Sequence, residues 1–272
     1  MGRDPAVLFG DPVYSNYVAG TTGDVRGVAL ALNRGAGNML RVMASTDGTN
    51  ENSVTRSVRK NADGNYVLEE LPGTGNEVKS VGGLFYASRS NEPVFVRERA
   101  LESRIKAMNA DSSLQRYRYI HLATHGFLGM QIEDIAEPCL ALSIYGDPVD
   151  DGFLKMSEIF GLNLEADMVV LSACNTGAVE GNEARSGGLS GLSRAFFFAG
   201  TPRLTVTLWS IADESTVKLM KAYYQRLKDR DDGRTQITTL DALRQAKMEM
   251  IEGGTYSHPF YWAPFILLGE WR

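Results

Sequence analysis

The stretch Asp167-Met168-Val169-Val170-Leu171-Ser172-Ala173-Cys174-Asn175-Thr176-Gly177 decides the fold. A short apolar run ends in small residues and a cysteine, and turn-forming residues follow at once. This pattern predicts a buried strand whose next side chains emerge at the carboxyl edge of an open α/β sheet, where such sheets place their sites. Upstream, Tyr117-Arg118-Tyr119-Ile120-His121-Leu122-Ala123-Thr124-His125-Gly126 has the same design and ends in a histidine, then a glycine. Two strands delivering a thiol and an imidazole to one edge predict a Cys–His hydrolytic dyad, Cys174 and His125.

Working outward, the chain alternates strands and helices. Ala6 to Pro12 reads as a first buried strand closed by a turn. The segment from Val13 to Glu70 is rich in Gly, Asn, Ser and Thr, with strand-like pieces at Val25 to Leu32 and Met39 to Ala44 and a polar loop at Ser45 to Asn65. Regular alternation begins after Leu71-Pro72-Gly73. It predicts a helix over Asn76 to Tyr86, a strand at Pro93 to Arg97, a helix over Ala100 to Asn109, and then the histidine strand. Pro138 to Tyr145 reads as a strand and Lys155 to Phe160 as a short helix, followed by the cysteine strand. A helix over Gly188 to Ala199, a strand at Arg203 to Trp209, a helix opening at Asp213, a helix over Thr239 to Ile251 and a last strand at Tyr261 to Leu268 complete the pattern. Such alternation implies parallel βαβ units with helices on both sheet faces. With no internal repeat and no clean linker, residues 1–272 are expected to form one domain.

Composition removes several functions. Of 272 residues, 43% are hydrophobic and 22% charged, ordinary values for a water-soluble globular chain. A formal charge of -5 argues against a nucleic-acid surface. No run approaches the roughly 20 apolar residues of a membrane span, and Met1-Gly2-Arg3-Asp4-Pro5 lacks the apolar region of a signal peptide. Gly2 does not begin a myristoylation signal, because Ala6 stands where Ser or Thr is needed. Two cysteines, Cys139 and Cys174, form no disulfide framework and fit a reducing, cytoplasmic setting.

Other motifs fail on inspection. Gly73-Thr74-Gly75-Asn76-Glu77-Val78-Lys79-Ser80 nearly spells a phosphate-binding loop, but Val78 replaces the required glycine and no strand precedes it. Gly188-Leu189-Ser190-Gly191-Leu192 lacks the last glycine of a serine nucleophile elbow. His121 and His125 have zinc-protease spacing, yet Leu122 replaces the glutamate of that helical motif, so no metal is expected. A cysteine at a strand end is ordinarily a small buried hydrophobe. That account suits Cys139, which lies among apolar neighbours. Cys174 instead precedes Asn-Thr-Gly, a turn that would present its sulfur, and Gly126 lets a substrate carbonyl approach the backbone N–H. His121 lies on the same strand face as His125, roughly 13 Å deeper, and reads as a hydrogen-bonded core histidine. His258, in Ser-His-Pro-Phe-Tyr-Trp, is a second candidate base whose neighbours fit a lead-in to the last strand.

The chain resembles the CHAT domains, caspase-like cysteine peptidases often joined to tetratricopeptide repeats and related to separase. The resemblance rests on His121-Leu-Ala-Thr-His125-Gly126-Phe, Val169-Val-Leu-Ser-Ala-Cys174-Asn-Thr-Gly and Gly188-Leu-Ser-Gly-Leu-Ser-Arg-Ala-Phe-Phe-Phe-Ala-Gly200. It continues through Leu208-Trp209-Ser-Ile-Ala-Asp213-Glu-Ser-Thr216, Ala242-Leu-Arg-Gln-Ala246 and His258-Pro-Phe-Tyr-Trp262-Ala-Pro-Phe. These motifs span residues 71–272, Ala6 to Pro12 resembles the family's opening strand, and residues 13–70 carry no matching motif. The resemblance implies a caspase–haemoglobinase-like three-layer α/β/α fold with a mostly parallel central sheet. It also implies a cysteine endopeptidase with His125 and Cys174 as its dyad and no cofactor.

The backbone N–H groups of Gly126 and Cys174 are the expected oxyanion donors. Trp209, Ser210 and Asp213 lie where related peptidases build the pocket for the residue before the cleaved bond, and Asp213 would favour a basic side chain there. The competing reading makes Asp213 the cap of a helix starting at Glu214. Family habit further implies a protein or peptide substrate, a fused or separate repeat or sensor module as regulator, and a part in bacterial defence or cell-death signalling. The alternative is a non-catalytic caspase-like interaction module.

Overall fold

The computed structural model describes residues 3–14, 58–60, 66–68, 70–86, 93–127, 135–144, 146–147, 149–172, 188–209, 211 and 213–272; the side chains of 58–60, 66, 67, 188–190 and 213 are not described. Its strands are β1 (Asp4–Gly10), β2 (Val58–Lys60), β3 (Tyr66–Leu68), β4 (Val94–Val96), β5 (Tyr117–Ala123), β6 (His125–Phe127), β7 (Cys139–Ala141), β8 (Phe153–Lys155), β9 (Met168–Leu171), β10 (Arg203–Thr207) and β11 (Phe265–Gly269). Its helices are α1 (Pro72–Phe85), α2 (Glu102–Ala110), α3 (Met156–Phe160), α4 (Gly188–Phe198), α5 (Asp213–Asp231) and α6 (Thr239–Glu252). The central sheet has the order β11-β10-β9-β5-β1-β4. All neighbours are parallel except β10 and β11, which run antiparallel.

Alternation of side chains along each strand sorts the apolar residues into two layers. On one face, Val7, Phe9, Ile120, Leu122, Val169, Leu171, Leu204 and Val206 join Ile105 of α2, Ile159 of α3, and Leu192 and Phe196 of α4. On the other, Ala6, Leu8, Tyr119, Met168 and Val170 join Val78 and Val81 of α1, Leu219 and Tyr223 of α5, and Ala242 and Met250 of α6. Helices thus cover both faces, and the three-layer α/β/α architecture is caspase-like. α6 starts where its chemistry directs: Thr238 accepts the Asp241 backbone N–H and the Asp241 carboxylate answers in a capping box.

Gly75 of the near phosphate loop, and Gly82 beyond it, serve packing. A Cβ on Gly75 would stand 2.9 Å from Asp11 Cβ, and one on Gly82 would stand 2.6 Å from Val94 Cγ2. Their absence lets α1 lie close against β1 and β4. The glycines at 73 and 75 therefore belong to the first turn of α1, which begins at Pro72 rather than Asn76. Proline suits that position because its missing N–H has no helical partner there.

Other expectations change. Val58–Lys60, expected within a loop, pairs antiparallel with Tyr66–Leu68 as a short hairpin. The strand-like pieces at 25–32 and 39–44 lie outside the described residues. The strand expected over 138–145 is only Cys139–Ala141, and β8, not anticipated, pairs with it. The last strand begins at Phe265, because Pro259–Tyr261 form a 3-10 turn. Most consequential, the histidine strand breaks at Thr124. His125 opens β6, which belongs with β7 and β8 to a separate antiparallel sheet of order β6-β7-β8. His121 and His125 are therefore on different strands.

Candidate functional site

β5 and β9 are adjacent and parallel, with His121 opposite Val170 and Leu122 opposite Leu171. The Ser172 backbone N–H donates to the Leu122 carbonyl at 3.0 Å, so the pairing extends one residue past β9. Beyond these ends the two chains lead to His125 and Cys174. Cys174 and Ser210 lie outside the described residues, as does the side chain of Asp213, which is the first residue of α5.

His125 is buried, with 6% of its surface exposed. It faces Ala141 across the β6–β7 ladder, and its ring centroid lies 5.1 Å from that of Tyr14 and 5.9 Å from that of Phe127. Gly126, opposite Leu140, is buried beside it. Trp209 is half-buried just past β10, and its indole N–H donates to the Phe260 carbonyl at 3.1 Å. His258 is exposed, and its Nδ1 accepts the Phe260 N–H at 3.2 Å, capping the turn into the last strand. Cys139 is fully buried in β7, and burial pushes its thiol up to about 12, which leaves it protonated and inert at neutral pH.

The small sheet carrying His125 is tied to the body through Glu102. Its buried carboxylate accepts the Gly152 N–H at 2.9 Å, and Gly152 O accepts the Leu142 N–H at 2.7 Å. Lys106 Nζ stands 2.7 Å from Glu102, 2.7 Å from Asp150 and 2.6 Å from Glu158. These three carboxylates are close enough together to suit a metal ion. The lysine ammonium already supplies their positive charge, so the cluster is a salt-bridge hub. Burial pushes the Glu102 carboxyl up to about 7, against the pull of Lys106.

Beneath β5 and β9 lies a second polar unit that sequence reasoning found only in part. His121 is fully buried and its Nδ1 is 3.0 Å from the Tyr224 hydroxyl, as a core histidine requires. Its Nε2 lies 3.0 Å from Glu77 Oε1, at ion-pair distance but without hydrogen-bond alignment. The Ser172 hydroxyl donates to Glu77 Oε2 at 3.1 Å. The signal for Glu77 was available: Gly73, Glu77 and Val81 recur every four residues on one face of α1, and all are buried.

A caspase-like sheet with a histidine just past one central strand, beside the strand that leads to a cysteine, defines the class of protein. The CHAT domain model matches residues 4–270, and the chain belongs to that family, a caspase-like peptidase-related module. Among curated proteins it is similar to tetratricopeptide repeat protein 28 of Homo sapiens, 25% identical over 123 residues. It is also similar to tetratricopeptide repeat protein 28 of Mus musculus, 27% identical over 124 residues. Each match covers 45% of this chain but only 5% of the relative, so the matched stretch is a small part of a far longer protein. Among the described residues, no helix is long and apolar enough to cross a membrane.

Proposed function

We propose that the chain is a cysteine endopeptidase module that cleaves a protein substrate through His125 and Cys174. The adjacency of β5 and β9 carries this reading, because it sends the chain toward His125 and the chain toward Cys174 off the same edge of the sheet. Cys174 follows Ser172 by only two residues, so covalent geometry limits how far it can lie from the end of β9. In the proposed chemistry the Cys174 thiolate attacks the scissile carbonyl carbon and forms a C–S bond. His125 then protonates the amine as the C–N bond breaks, and afterwards activates the water that hydrolyses the thioester. The N–H groups of Gly126 and Cys174 are the proposed oxyanion donors, a role worth about 3–4 kcal/mol per donor elsewhere. Trp209, Ser210 and Asp213 are proposed to line the specificity pocket.

The likeness to tetratricopeptide repeat proteins supports a repeat module as regulator, fused or separate. A cytoplasmic setting and a part in bacterial defence or cell-death signalling belong to the same proposal. The 6% exposure of His125 favours a second reading, a non-catalytic interaction module, since an acid–base group must meet its substrate. Peptidyl acyloxymethyl ketones, one for each residue type before the reactive carbonyl, separate the two. The peptidase reading expects covalent labelling of Cys174, seen by mass spectrometry and lost in Cys174→Ala with the fold retained. A native chain that leaves every ketone unreacted, or a Cys174→Ala chain that still cleaves peptides, refutes it.

A further inference from the structure

Tyr14 is fully buried although it belongs to the stretch without family motifs, and the chain works to put it there. Immediately after β1, Asp11 takes a left-handed conformation (φ 47), which aspartate tolerates better than most residues. The turn is held from two sides. Asp11 N–H donates to Thr74 Oγ1 at 2.8 Å, and Asp11 O accepts the Arg97 N–H at 2.9 Å. Val13 N–H then donates to Ser143 Oγ at 3.0 Å, and Val13 O accepts the Ile144 N–H at 3.1 Å. This docks the segment along the end of β7 and drives the tyrosine ring beneath His125.

The Tyr14 hydroxyl sits at the joint where the chain leaves the central sheet for the small one. It shares a hydrogen bond with Thr124 Oγ1 at 2.5 Å, lies 3.1 Å from the Ala141 carbonyl oxygen and accepts the His125 N–H at 3.4 Å. Thr124 Oγ1 stands against the same carbonyl, so one of the two hydroxyls donates to Ala141 and the other donates to its neighbouring hydroxyl. One hydroxyl therefore ties the residue before His125, His125 itself and its cross-strand partner. The tyrosine ring lies against the imidazole at 5.1 Å and 47°.

We propose that Tyr14, acting with the Thr124 hydroxyl, is the positioning residue that fixes the orientation of the His125 imidazole for proton transfer to the leaving amine. This rests on the reading of His125 as the acid–base group. A tyrosine that only filled the core would need its ring and not its hydroxyl, and a threonine there would need its methyl group and not its oxygen.

The test uses the full chain and tetrapeptide aminocoumarin amides, pooled by the residue before the cleaved bond, because amide cleavage needs the proton that His125 would give. In Tyr14→Phe, kcat for the best pool is expected to fall roughly 10- to 100-fold with KM unchanged, the scale of a small misplacement of a reacting group. Alkylation of Cys174 by iodoacetamide, which needs no proton donor, should keep its native rate. Thr124→Val should repeat the loss, Thr124→Ser should restore the native rate, and Tyr14→Phe/Thr124→Val should be no worse than either single change. The Thr124 pair decides the question alone if Tyr14→Phe fails to fold. A native kcat in Tyr14→Phe or Thr124→Val overturns the proposal, as does a loss confined to KM or matched by slower alkylation. A native chain that hydrolyses none of the pools refutes the dyad reading itself, and the role of Tyr14 falls with it.

Discussion

Replacing Glu77 by leucine removes one carboxylate from the centre of the molecule while nearly conserving volume. Glu77 and His121 are almost wholly inaccessible to water, so solvent cannot replace what is lost. The change takes away a carboxylate oxygen 3.0 Å from His121 Nε2 and an acceptor 3.1 Å from the Ser172 hydroxyl. Leaving a buried polar group such as the His121 imidazole without its neighbour costs about 1–3 kcal/mol. An orphaned buried hydroxyl alone accounts for about 1–3 kcal/mol, which overlaps that figure and does not simply add to it. We expect a loss of about 3 kcal/mol. In a chain of this size that lowers Tm by roughly 6 °C. Urea unfolding followed by fluorescence, with Glu77→Leu, His121→Leu and the double variant compared, measures both the loss and the coupling. The double variant should be more stable than the sum of the singles by about 2 kcal/mol, because the second change removes the group that the first left unpaired. Single losses below about 1 kcal/mol, or strict additivity, would refute the reasoning.

Two further outcomes follow from buried titrating groups. Glu102 titrates near 7 in the folded chain against an ordinary value of 4.5, so the folded state holds the extra proton between those values. Its contribution to stability is therefore greatest at low pH and declines as pH rises from about 4.5 through 7. Between pH 5 and pH 8 the native chain should lose more of its urea midpoint than Glu102→Gln does, and equal losses would contradict the assignment. Cys139, fully buried with its thiol pushed up to about 12, should resist iodoacetamide at pH 8 until urea unfolds the chain. Modification of Cys139 in the folded protein, read by peptide mapping, would show that β7 opens.

The layers of the fold were legible because their signals are local. Val169, Val170 and Leu171 announce a strand buried on both faces. What misled was the continuity of Tyr117 to Gly126. Its apolar pattern runs unbroken through Leu122-Ala123-Thr124, and nothing local marks where it changes sheets. That break is enforced by tertiary partners: Tyr14 and Ala141 hold Thr124, and β7 takes up the ladder that the central sheet relinquishes. The same reason hid Tyr14 and Ser172, whose partners are 110 and 95 residues away in sequence. His125 was visible by its residue type, whereas its burial was not, because neighbours remote in the chain set it.

The break at Thr124 changes how the proposed dyad must be understood. A base on β5 itself would be fixed relative to β9 by the parallel ladder between them. His125 instead rides on a three-stranded sheet that is held to the body by Leu140 and Leu154 in the shared core, by Tyr14, by Glu102 to Gly152 and by the Lys106 hub. Ser172, the last described residue before the cysteine, is held from the opposite direction, by Leu122 and by Glu77 of α1. The base and the approach to the nucleophile are thus mounted on different supports that meet where Ala123 gives way to His125. On the peptidase reading, placing the His125 imidazole therefore depends on the packing of the small sheet against the central one as well as on the ladder between β5 and β9.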